Sequence, residues 1–200
     1  MDIRSSAHFE YSDIYLAALK EAWDAHPLRD QVDEERLGPV VLDLEQGGEF
    51  GINFDQYPRV VLHVPEELEA DHRRLLANLS HELTHFIDRH DPDFTGHLSP
   101  PEITSCICEL PHDPDTYQSV RHAFITYWNI YIDGRLSRRG IVVKSFPCRL
   151  YEKTGTTRWG RGLFCADEVK SVCGVWESES LSFLDLVQRA RQFPYHRPVE

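Results

Sequence analysis

The sequence predicts an α+β fold, on three observations. Residues 10–25 repeat their large apolar side chains at the helical period. Three short runs between residues 40 and 64 are β-branched or alternating, and two long helix-period stretches follow Pro65. The expected architecture is a small mixed or antiparallel sheet packed on two long helices. With 200 residues the chain is expected to be a single domain, 1–200. Its core is expected at about 39–140, and 141–200 form an extension to which the pattern assigns no role.

Each element has its own reason. EYSDIYLAALKEAWDA places Tyr15, Leu16, Leu19 and Trp23 on one side and stops near Pro27. VVLDLE, FGINFD and RVVLHV are separated by Gly47-Gly48 and Gln56-Tyr57-Pro58, which predicts three strands joined by tight turns. From Pro65 an apolar stripe of Leu68, Leu75, Leu79, Leu83 and Phe86 predicts a long helix. Pro65 suits its first turn, and Glu66, Glu67 and Glu69 suit its dipole. RHDPDFTGHLSPPE reads as loop. A short helix after Ser99-Pro100 carries Ile103, Ile107 and Leu110, and a second long helix spans about 115–139, stopped by Gly140. A strand at 141–146, a basic hairpin or loop and a last helix from Ser180 to about Gln192 complete the chain.

Composition narrows the function classes. The chain is 41% hydrophobic and 27% charged, ordinary for a soluble globular protein. No segment reaches the roughly 20 apolar residues that cross a bilayer, so no membrane partner is expected. The opening MDIRSSAHFEYSD lacks a basic-then-apolar leader, and the expectation is a cytoplasmic protein. Cys106, Cys108, Cys148, Cys165 and Cys173 are odd in number and form no C-x-x-C, so they read as buried or idle thiols. A net charge of −12 argues against general nucleic-acid binding. Residues 135–161 depart from that balance, with eight Lys/Arg against Glu152 alone, a local +7. Such a window could grip an acidic peptide or a phosphate backbone, or simply be a solvated basic loop.

The chemistry-bearing stretch is LLANLSHELTHFIDRHD, residues 75–91. His81 and His85 are four apart on the first long helix, so their imidazoles project from one face one turn apart. Both can reach a single Zn²⁺ at about 2.0–2.1 Å. Glu82, next to His81, can touch a metal-bound water without being a ligand, which makes it the general base in an H-E-x-x-H arrangement. Eleven His and 17 Glu in 200 residues give a chance expectation of about 0.05 such motifs, so composition does not account for it.

On these residues the chain resembles the zincin metallopeptidases, in which a small sheet precedes the HExxH helix. The resemblance covers about residues 39–140 and is tightly specified only at HELTH. It implies a zincin-like fold, a Zn²⁺ cofactor held by His81 and His85, Glu82 as catalytic base, and a peptide or protein substrate. An extended peptide would pair edge to edge with a strand such as RVVLHV. The glycine and eleventh-position ligand of metzincin-like relatives are replaced by Asp88 and Asp91.

A catalytic zinc needs a third protein ligand beside its open position. Gluzincin-like zincins take it from an acidic residue on a second helix. Here His122, Thr126, Asn129 and Asp133 form a polar stripe on the 115–139 helix, and a carboxylate in that aromatic-rich setting requires compensation. Asp133 is therefore the favoured ligand, with Asn129 able to orient the site; pairing of Asp133 with Arg135 is the bland alternative. His97, in TGHLSPPE, is the next candidate, since SprT-like proteases carry a third histidine after a loop and often act near DNA. His90 and Asp91 follow. His122, Tyr127 and Tyr131 are the available oxyanion donors. A zinc-stabilised binding or regulatory module without catalysis is the remaining alternative. Histidines 8, 26, 63, 72, 112 and 196 show no partner pattern and read as ordinary.

Overall fold

The computed structural model describes residues 2–5, 9–32, 40–113, 118–141, 166–193 and 195–196. The protein is mixed α+β and divides into two compact units, the first carrying the chain to Thr104 and the second taking it up from Ser105.

The first unit contains β1 (Asp2–Arg4), α1 (Ser12–Asp24), β2 (Val41–Gln46), β3 (Gly51–Asn53), β4 (Arg59–Val64), α2 (His72–His90) and α3 (Pro92–Thr95). The strands form one mixed sheet in the order β1-β2-β4-β3. β1 and β4 run parallel to β2, and β3 runs antiparallel to β4. Strand alternation sends Leu42, Leu44, Val60, Leu62 and Val64 to one face. There they form a single core with Tyr15, Leu19 and Trp23 of α1 and Leu75, Leu79, Leu83 and Phe86 of α2. Each such side chain contributes about 1.5–3 kcal/mol by leaving water. On the opposite parity, the fully buried carboxylate of Asp43 accepts a bond from Arg59 Nε at 2.9 Å, and the same guanidinium reaches Glu45 and Gln56.

The start of α2 and the place of RVVLHV in the sheet differ from expectation. α2 starts at His72, because the Asp71 side chain accepts bonds from the backbone N–H groups of Arg73 and Arg74 and so caps the helix there. Residues 65–70 lie outside the helix, held in part by the Tyr15 hydroxyl donating to the Glu67 carbonyl. RVVLHV is not an edge. As β4 it is bonded by β2 on one side and β3 on the other, which leaves β1 and β3 as the outer strands.

α4 (Pro100–Cys108) leads into the second unit. That unit holds β5 (His112–Asp113), β6 (Gln118–Ser119), α5 (Val120–Arg138), α6 (Ala166–Glu177), α7 (Phe183–Gln192) and β7 (Tyr195–His196). α5 begins only after Ser119, whose hydroxyl accepts from the His122 N–H, because the preceding residues pair as a strand. It ends before Gly140, which takes a φ of 82° that a side chain would disfavour. α6 and α7 both pack on α5, with Phe124 meeting Phe183 at 5.2 Å between ring centroids. α7 opens with a reciprocal Ser182–Asp185 capping box and so begins at Phe183, three residues later than expected. The predicted strand at 141–146 and the basic hairpin lie outside the described residues.

No helix among the described residues is long and apolar enough to cross a membrane. Cys106 and Cys108 are free thiols, as expected, whereas Cys173 is disulfide-bonded. An odd cysteine count excludes a complete framework but not one bridge.

Candidate metal centre

α2 carries the H-E-x-x-H motif, and its two faces are sharply different. At about 100° per residue, Leu75, Leu79, Leu83 and Phe86 fall on the side opposite His81, and all four are buried in the core. His81, His85 and Asp88 share the other side. The two histidines and Glu82 are half-buried. The apolar row thus fixes the rotation of the helix and leaves the motif partly open to solvent.

The imidazoles of His81 and His85 are neighbours, with ring centroids 5.1 Å apart and planes at 72°. That separation can be compared with coordination geometry. A zinc-bound imidazole has its centroid about 3.2 Å from the metal, so two at a tetrahedral angle are about 5.2 Å apart. The centroid separation of the pair matches that spacing. Glu82 lies about 60° round the helix from His85 and about 100° from His81, beside the pair but off its line.

The candidate third ligands separate clearly. His90 is about 180° from His81 on the helix and is buried. Its Nδ1–H donates to the Phe86 carbonyl at 2.8 Å, and burial among aromatic rings lowers its pKa. Asp91 ends α2 and turns its carboxylate onto the Asp93 N–H at 2.8 Å, capping α3. Burial raises its pKa. α2 remains helical through Asp88, where a metzincin would turn at glycine, so Asp91 is a cap. His97 is exposed in the turn after Gly96. Asp133 is a buried residue of α5, in the second unit. Among the described residues no group of three or more His, Cys, Asp and Glu side chains is gathered as a metal would require.

The oxyanion candidates also sort themselves. Tyr131 is buried, and its hydroxyl accepts from the Leu181 N–H at 2.9 Å while donating to the Glu179 carbonyl. It is thereby committed to the α6–α7 connection. Tyr127 is buried, and exposed His122 stacks edge-on with His112 at 5.3 Å. In the basic window, Arg135 is buried with its guanidinium over the Tyr131 ring, and Arg138 and Arg139 both pair with Glu179. The other five basic residues of that window lie outside the described residues.

Two features escaped the sequence reading. Asp88 is fully buried on the histidine face, three residues beyond His85; the i+3 and i+7 spacing was the available signal. His26, read as ordinary, is buried and bonded to Thr84 inside the motif; its contacts on α2, Ser80 and Thr84, are 54 and 58 positions away, so no local pattern could reveal them. Comparison with known protein families, curated proteins and solved structures finds no match.

Proposed function

We propose that the protein is a zinc-dependent metallopeptidase of zincin-like fold that hydrolyses peptide bonds. The observation that carries the reading is the half-buried His81–His85 pair, spaced as two adjacent zinc ligands, with Glu82 beside it. His81 and His85 hold the metal on the half-open face of α2. Bound zinc would supply a Lewis acid that acidifies water and polarises the scissile carbonyl. Glu82 takes the proton of the attacking water and returns it to the departing amine, a transfer that typically contributes about 10²–10⁴-fold. The outer strand β3 packs against α2 and offers its open edge to an extended peptide.

A nucleic-acid partner is less well supported than a peptide, because Arg135, Arg138 and Arg139 of the basic window are already buried or paired. A non-catalytic zinc module shares the same ligands and differs only in turnover. The test is therefore cleavage of an unstructured protein substrate, with Glu82→Gln as the control. Chelator-sensitive, zinc-restored hydrolysis is expected in the wild type. Glu82→Gln should retain zinc and lose about 10²–10⁴-fold in rate. Zinc binding with no cleavage in the wild type would favour the non-catalytic module, and undiminished turnover in Glu82→Gln would reject the assigned base.

A further inference from the structure

Behind the motif, on the flank of α2 away from Glu82, a polar cluster is sealed inside the first unit. His26 is 5% exposed, Ser80 4% and Thr84 0%. The backbone N–H of Leu28 donates to His26 Nδ1 at 3.2 Å. Nδ1 therefore holds the lone pair and Nε2 the proton in the neutral ring. Nε2 lies 3.0 Å from the Ser80 carbonyl oxygen and 3.2 Å from Thr84 Oγ1, while Thr84 Oγ1 donates to the same carbonyl at 2.7 Å. The Ser80 carbonyl thus receives side-chain bonds from His26 and Thr84. Ser80 immediately precedes His81, and Thr84 immediately precedes His85. The one helical turn that spaces the two imidazoles is the turn that His26 grips.

We propose that His26 is a positioning residue for the metal pair: it clamps the Ser80–Thr84 turn and so sets the relative orientation of His81 and His85. The clamp spans from the α1 connection to the middle of α2, and it costs little to maintain because every buried polar atom named is bonded. Hydroxyl back-bonding to the i−4 carbonyl can bend a helix, and a second donor at that carbonyl fixes how far. This inference rests on the zinc reading of His81 and His85.

The two ring nitrogens can be tested apart, because glutamine reproduces a donor at the Nε2 position and asparagine an acceptor at the Nδ1 position. Co²⁺ is the probe, followed by its visible absorption and by competition with Zn²⁺ in the full chain. His26→Gln is expected within about threefold of wild-type Co²⁺ affinity with an unchanged spectrum. His26→Asn is expected about tenfold weaker with an altered spectrum, at the low end for groups that orient ligands from outside the coordination shell. Equal binding and spectra in both variants and the wild type would overturn the clamp. Asparagine outperforming glutamine would also overturn it, assigning His26 to the local Leu28 turn. If either variant fails to fold, Thr84→Ser against Thr84→Val makes the same comparison at the other end, with serine keeping and valine losing the wild-type spectrum. Failure of the wild type itself to bind Co²⁺ would instead remove the zinc reading and the clamp with it.

Discussion

The two long helices, α2 and α5, are each 19 residues, yet they solve opposite problems. α2 buries one apolar face in the sheet core and keeps His81, Glu82 and His85 on a half-open face. α5 is buried without interruption from Ile130 to Leu136, including Asp133, Gly134 and Arg135. A helix with one wet face can present groups for chemistry at little structural cost. A helix enclosed along that length has to settle its polar groups against neighbours. α5 does so through Tyr131 and through Arg138, whose guanidinium donates to the Trp176 and Ser178 carbonyls.

The largest structural effect should come where α5 is most tightly enclosed. A Cβ built on Gly134 would overlap the Trp176 carbonyl oxygen and stand 3.0 Å from its carbon and 3.1 Å from its Cα. Gly134→Ala should therefore cost about 3 kcal/mol of unfolding free energy in denaturant titration, despite alanine's better helix propensity. A neutral or stabilising result would contradict the close passage of α6. Tyr131→Phe, which strands the Leu181 N–H and the Glu179 carbonyl, should cost about 1–2 kcal/mol in the same assay. On α2 the comparable loss is smaller: Asp71→Ala removes a cap and should cost about 1 kcal/mol, read as a lower midpoint.

The smallest effect is a pH dependence on the core face of α2. Burial lowers the pKa of His90 from 6.5. The unfolded chain then binds a proton that the folded chain refuses, so stability falls as pH drops below about 6.5 towards the folded value. His90→Leu should flatten that part of the stability profile. An unchanged slope between the variant and the wild type would show that His90 is not the group responsible.

How much of this was legible follows from the same contrast. The motif face of α2 was readable because the apolar stripe of Leu75, Leu79, Leu83 and Phe86 fixes the helix rotation by itself. Its start was misplaced at Pro65, since acidic residues in a first turn and a true cap look alike until Asp71 is seen bonded to Arg73 and Arg74. β2, β3 and β4 were found, but β1, the two-residue strands of the second unit and the order within the sheet were not: alternation reports which face a residue takes, whereas the parallel β2–β4 pairing that displaces β3 to the rim is set by tertiary packing. α6 went unrecognised because the buried positions among its described residues are two valines, Val172 and Val175, around a cysteine and a glycine. His26 was passed over because burial and distant partners, not spacing, set its contacts, whereas the spacing of Asp88 from His81 and His85 was legible and went unused.

The most direct measurement of the central claim is the metal content of the purified chain beside His81→Ala and His85→Ala. One zinc per wild-type chain, lost from both variants while their folds persist, is the predicted result. A wild-type chain that folds identically with no bound metal, and gains none when zinc is supplied, would contradict it.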